Sequence, residues 1–170
     1  MRNIYLIGMM GSGKTSTGKV LARLAKMNFV DLDDEIEAQT RLSVNEIFAQ
    51  KGEPFFRAEE KKALARAAVR QNTVVATGGG IVLNPENVTT MMQTGRVVYL
   101  SALFETLWGR VREKRDRPLI SVPDPRGTFL KLFEVRRPLY EAAASAEVVT
   151  DGLTPEQVAE KACEEFVKFK

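Results

Sequence analysis

The sequence predicts an α/β fold in which a parallel sheet lies between two layers of helices. Two observations carry this. Short, continuously apolar runs alternate along the 170 residues with longer helical patterns, and the first run leads directly into a glycine-rich loop and a helix. Strands that are apolar throughout have both faces covered, which is the habit of parallel sheets.

The elements follow in order. Asn3-Ile-Tyr-Leu-Ile7 reads as a buried strand, Ser16 to Met27 as an amphipathic helix and Phe29-Val30 as a second strand. Helices then run through Ala68, and Thr73 to Ala76 forms a third strand. Val88 to Gln93 reads as helix, Val97 to Leu100 as strand, Leu103 to Val111 as helix, Val148-Val149 as a short strand and Glu156 to Phe169 as the final helix. Ser43-Val-Asn-Glu46 and Thr154-Pro-Glu-Gln157 fit the capping box, the latter with proline at the first helical position. Arg136-Arg-Pro-Leu-Tyr140 is placed at the start of a late helix.

Composition narrows the classes. At 44% hydrophobic residues, 170 residues suit one domain, 1–170, with no repeat or linker. The 25 basic and 22 acidic residues leave a net charge of only +3, spread along the chain, which argues against nucleic acid as a partner. No apolar run reaches membrane-spanning length, and Met1-Arg2-Asn3 leads into a core strand instead of a cleavable signal, so a cytoplasmic location without a membrane partner is expected. Cys163 is the only cysteine, which rules out a disulfide within the chain. Histidine is absent, so any general base is a carboxylate, lysine, tyrosine or cysteine.

The loop after the first strand, Gly8-Met-Met-Gly-Ser-Gly13-Lys14-Thr15, is a phosphate cradle. Its glycines let backbone N–H groups converge on phosphate oxygens, Lys14 supplies positive charge, and Thr15 offers a hydroxyl to Mg²⁺ at the start of a helix. Asp31-Leu-Asp33 follows the second strand; read as extended, it aims both carboxylates at the ligand edge of the sheet, one for a metal and one for a substrate proton. The alternative is that Asp33, Asp34 and Glu35 merely charge a helix N-terminus. In Phe55-Phe-Arg57-Ala-Glu-Glu60 a spacing of three puts Arg57 and Glu60 on one helix face, either as a surface ion pair or as an anchored grip on a small carboxylate. Gly78-Gly79-Gly80 ends the third strand and implies close approach to the backbone, most naturally by a ligand. Glu113 to Pro125 is charged and then proline-rich, and fits either a surface loop or a closing lid.

Together these segments resemble the shikimate kinase family, within the nucleoside-monophosphate-kinase-like P-loop enzymes. Gly-Met-Met-Gly-Ser-Gly-Lys-Thr, Phe29-x-Asp31-x-Asp33, Phe56-Arg57-x-x-Glu60, Thr77-Gly-Gly-Gly80, Arg117-Pro-Leu and Arg136-x-Pro-Leu-Tyr140 occur in the family's order and spacing. The resemblance implies a P-loop kinase fold, three-layer α/β/α, with a five-stranded parallel sheet in the order 2-3-1-4-5. It also implies a substrate-binding segment at about 32–60, a lid at about 112–125, and transfer of the ATP γ-phosphate to the 3-hydroxyl of shikimate by a monomer. It further assigns Gly11, Ser12, Gly13, Lys14, Thr15 and Ser16 to the nucleotide, with Arg110 stacking on adenine and Pro155 closing that pocket. Asp33 is expected to hold the substrate hydroxyl, either as its general base or mainly as its orienter, and Arg57 and Arg136 to bind the carboxylate. Glu60 would orient Arg57, while Gly78, Gly79 and Gly80 contact substrate. Lys14 and Arg117 would neutralise the transferred phosphoryl group, and Thr15 and Asp31 would serve Mg²⁺. A glutamate usual two residues after the motif's tyrosine is replaced by Ala142. Two rivals are a gluconate kinase of the same fold and a GTPase-like switch. Asp124-Pro-Arg-Gly127 matches D-x-x-G for the switch but follows no apolar strand, and the chain carries no Asn-Lys-x-Asp.

Overall fold

The first apolar run, β1 (Asn3–Ile7), is buried at every position because it forms the centre of the sheet. The molecule is described by a computed structural model covering residues 2–112 and 122–167. β1 pairs in parallel with β3 (Thr73–Ala76) on one side and β4 (Gly95–Ser101) on the other. β2 (Asn28–Asp31) lies outside β3 and β5 (Ala146–Val149) outside β4, giving the expected order 2-3-1-4-5.

Strand periodicity sorts the core into two layers. Ile4 and Leu6 face one way and pack with Leu21 and Ala22 of α1 (Lys14–Ala25) and Val158, Ala159 and Ala162 of α8 (Pro155–Val167). Tyr5 and Ile7 face the other way, into a thicker layer. That layer holds α2 (Leu32–Thr40), α3 (Val44–Gln50), α4 (Gly52–Ala68), α5 (Pro85–Thr94), α6 (Phe104–Val111) and α7 (Pro125–Ala143).

Register positions the site. Leu6 lies opposite Ala76, and Ala76 opposite Asp31, so the loops after β1, β2 and β3 leave the sheet at one carboxyl edge.

Both capping boxes form. Glu46 N–H donates to Ser43 Oγ while Ser43 N–H donates to Glu46 Oε2, and Thr154 and Gln157 exchange the equivalent pair. Several boundaries differ from expectation. α1 begins at Lys14 instead of Ser16, and α5 begins at Pro85, where Asn84 Oδ1 caps the Glu86 N–H. The largest correction is α7, a 19-residue helix that starts at Pro125, so Arg136-Arg-Pro-Leu-Tyr140 belongs to its C-terminal half. Asp124 Oδ1 accepts from the Gly127 N–H at 3.0 Å, so the apparent D-x-x-G switch motif is a helix N-cap with proline at the first position.

Candidate active site

Gly13 ends the glycine loop at φ 91°, a left-handed conformation, and stands at the N-cap of α1 with no side chain to cap it. The first amides of α1 are therefore left for an anion, reinforced by the helix dipole. Lys14 is only 9% exposed and folds over the loop, where Nζ donates to the carbonyls of Gly8 at 2.8 Å and Met9 at 3.0 Å. Lys14 lines a cavity of about 370 Å³ together with Gly11, Gly13, Thr15, Ser16, Thr77 and Arg110. Arg110 is fixed there by donating to Gly11 O, Thr150 O and Thr150 Oγ1. Ser12 is buried, and neither it nor Pro155, the first residue of α8, lines this cavity.

Asp31 and Asp33 do meet at the ligand edge, but not along an extended segment. Asp31 ends β2 and caps α2, its Oδ1 accepting from the Asp33 N–H at 3.0 Å, and Asp33 lies in the first helical turn. The two readings thus combine for Asp33 and Asp34, which charge a helix start and also line a cavity, while Glu35 pairs with Arg70. Asp31 Oδ2 accepts the Thr15 hydroxyl at 2.7 Å, joining α1 to β2.

A second cavity of about 300 Å³ adjoins the first and shares Met10, Thr15, Asp31, Asp33 and Gly79 with it. Its far wall contains Arg57, Arg136, Gly78 and Gly80, and its apolar side is made by Val44, Phe48 and Phe56. Phe56 is buried and stacks near Phe48 with centroids 5.0 Å apart, whereas Phe55 is 37% exposed and turns away. The Arg57 guanidinium lies 5.3 Å from the Phe56 ring centroid and is held by two carboxylates. Nε and Nη2 donate to Glu53 Oε1, and Nη1 donates to Glu60 Oε2 at 2.9 Å. Burial opposes the charge of Arg57, but Glu60 and Glu53 outweigh it and hold its pKa above the ordinary value. Glu60 is 1% exposed, and burial pushes its pKa up against the pull of Arg57 and Arg136. Burial and then Asp31 likewise raise Asp34, which lines the same cavity.

The close approach expected at the triple glycine is made by side chains of the protein itself. A Cβ on Gly78 would stand 2.5 Å from Glu60 Oε1 and 3.2 Å from Asp33 Oδ1, and one on Gly80 would strike the Arg57 guanidinium. The protein's own site residues thus crowd Gly78 and Gly80, whereas a Cβ on Gly79 would meet nothing nearer than 3.5 Å. Gly79 turns its carbonyl away to Arg136 Nη1, at 3.3 Å, and to the Tyr140 hydroxyl.

The structure therefore brings together Lys14, Thr15, Asp31, Asp33, Arg57, Arg136 and Gly78 to Gly80, with Glu60 directly behind Arg57. Arg117 and most of the lid segment lie outside the described residues. Sequence reasoning missed Met10, Thr77, Glu37 and Phe48. Val44, Ile47 and Phe48 are apolar at helical spacing in α3, a signal that could have marked Phe48.

A five-stranded P-loop sheet with an anion cradle opening onto a second, arginine-walled cavity defines a small-molecule P-loop kinase. The family profile described as shikimate kinase matches residues 10–167. The shikimate kinase of Caldanaerobacter subterraneus subsp. tengcongensis is 41% identical over 170 residues, all of this chain and 99% of the relative. That of Symbiobacterium thermophilum is 46% identical over 151 residues, 88% of this chain and 87% of the relative. A solved shikimate kinase from Acinetobacter baumannii, in complex with shikimate, superposes with a TM-score of 0.96 at 35% identity, covering 100% of this chain and 95% of that one. A gluconokinase from Sinorhizobium meliloti, at 15% identity and a TM-score of 0.62, shares the fold alone. The chain belongs to the shikimate kinase family.

Proposed function

We propose that this protein transfers the γ-phosphate of ATP to the 3-hydroxyl of shikimate, giving shikimate 3-phosphate and ADP in the route to chorismate and aromatic amino acids. The observation that carries the reading is the shared wall of the two cavities. One cavity offers the cradle and Lys14, the other offers two arginines for a carboxylate, and Asp33 stands between them.

In this reading the cradle residues Gly11 to Ser16 hold the phosphates, Ser12 through the loop backbone, and Arg110 stacks on adenine with Pro155 closing that pocket. Arg57 and Arg136 bind the shikimate carboxylate, Glu60 orients Arg57, and Gly78 to Gly80 bound the ring. Asp33 orients the 3-hydroxyl and accepts its proton. Lys14 neutralises charge on the transferred group, aided by Arg117 from a lid at about 112–125. Positioning and charge neutralisation suffice for phosphoryl transfer, so a site without histidine is adequate.

Thr15 and Asp31 fit Mg²⁺. They are hard oxygen donors in mutual contact, and Mg²⁺ takes few protein ligands beside substrate phosphates. When bound there it would supply positive charge to the phosphate oxygens. The enzyme acts as a monomer of one domain in the cytoplasm, with small molecules rather than nucleic acid as partners; the dispersed charge of +3 supports this.

Calorimetric titration of shikimate and ATP tests the assignment. Arg57→Ala or Arg136→Ala is expected to weaken shikimate binding by about 2 to 4 kcal/mol, the cost of a lost charge-assisted contact in a partly desolvated site. ATP affinity is expected to hold. A loss confined to ATP would reverse the assignment of the two cavities.

A further inference from the structure

A buried phenol stands behind the substrate-side loop, outside both cavities. Tyr140 is 1% exposed, and its ring stacks on Tyr99 with centroids 5.2 Å apart and an interplanar angle of 24°. α7 carries it beneath the triple glycine, where its hydroxyl donates to the Gly79 carbonyl. The same carbonyl accepts from Arg136 Nη1 at 3.3 Å. Arg136 lies one helical turn before Tyr140. Hydroxyl and guanidinium thus meet on one carbonyl.

These bonds add to a turn that already brackets the peptide, in which the Ile81 N–H donates to the Gly78 carbonyl at 3.2 Å and the Leu83 N–H to the Gly80 carbonyl at 3.0 Å, while the Gly79 carbonyl itself is held, among the described residues, only from α7. Two adjacent glycines have the softest backbone a chain can offer. In a trans peptide the carbonyl and the following N–H point in opposite directions. With the Gly79 carbonyl tied back to α7, the Gly80 N–H is aimed the other way, on the side where Gly79 and Gly80 line the cavity and Arg57 covers Gly80.

We propose that Tyr140 is a positioning residue for the acceptor: its hydroxyl locks the Gly79–Gly80 peptide and the Arg136 guanidinium into one arrangement, so that a backbone donor and a cation meet the same carboxylate-bearing ligand. This rests on the substrate reading above. Burial raises the Tyr140 pKa, so the phenol stays a neutral donor at physiological pH.

Tyr140→Phe keeps the ring and removes only the hydroxyl. Calorimetry is expected to show shikimate affinity reduced about five- to tenfold, the scale of one lost neutral hydrogen bond. The KM for shikimate should rise with it while kcat changes less, and the ATP dissociation constant should stay within about twofold. Tyr99→Phe, which keeps the stacked ring, is expected to leave both affinities unchanged. Shikimate affinity within about twofold of wild type in Tyr140→Phe would overturn the proposal. So would a variant that fails to fold, or one that loses both affinities together, since the hydroxyl would then be structural. Wild-type protein that binds no shikimate in the same titration overturns the substrate reading itself, and this proposal falls with it.

Discussion

The terminal nitrogens of Arg57 lie against Gly80: a methyl group there would strike both of them and stand 2.5 Å from Cζ. Three of the five Arg57 N–H groups go to Glu53 and Glu60, leaving one on each terminal nitrogen. That pair suits a bidentate carboxylate.

Gly80→Ala is therefore expected to displace Arg57 and not the backbone, because the clash is with the end of a flexible side chain that is 22% exposed. Shikimate affinity should fall at least about tenfold, with melting temperature and ATP affinity nearly unchanged. Titration of both ligands, with a thermal scan, checks it. Unaltered shikimate affinity would show that Arg57 has no fixed place in the site.

Lys14→Ala is expected to lower turnover by about two to three orders of magnitude, as removal of preorganised charge at a transferred group does. Because Nζ also bridges the Gly8 and Met9 carbonyls, a stability loss of about 1 to 2 kcal/mol should accompany it. An ADP-release assay and denaturant unfolding measure the two effects separately. Near-normal turnover would remove the cradle lysine from the chemistry.

Much of the fold was legible because the strands are continuous apolar runs, from Ile4 to Ile7 and from Val97 to Leu100, set between helical patterns. What escaped was non-local or ambiguous in its punctuation. The start of α7 was hidden because Asp124-Pro125 closes a proline-rich stretch that reads as loop. Asp31-Leu-Asp33 carries no mark that distinguishes an extended run from a strand end followed by a cap. The need for Gly78 arises from Glu60, brought in from another element, and no local pattern announces that approach. The site residues were legible as a set of motifs, while the joint from Tyr140 to Gly79 spans 61 positions and emerges only from packing.

Glu60 gives a pH dependence. Burial raises its folded-state pKa above the ordinary 4.5, so the stability its protonated form contributes is complete below 4.5 and is lost as pH climbs through the raised value. Glu60→Gln has no such charge to bury. The melting temperature of wild type relative to Glu60→Gln is therefore expected to decline as pH rises from below 4.5, in scans over a pH series. A difference that grows with pH would mean that the pull of Arg57 exceeds the cost of burial.

Asp31→Asn keeps an acceptor for the Thr15 hydroxyl but removes the charge beside it. The Mg²⁺ concentration for half-maximal activity is expected to rise about tenfold or more, with shikimate affinity unchanged in the absence of metal. Activity titrated against Mg²⁺ reads this directly. An unchanged requirement would take Asp31 out of the metal site.

The proposed function puts shikimate in the arginine-walled cavity and ATP in the cradle. ADP release measured with ATP and Mg²⁺ against shikimate, gluconate, nucleoside monophosphates and no acceptor tests it most directly. ADP formation is expected to depend on shikimate and to saturate with it, with the other acceptors at the background rate. Folded protein that releases no ADP with shikimate, or turns over gluconate or a nucleoside monophosphate faster, would contradict it.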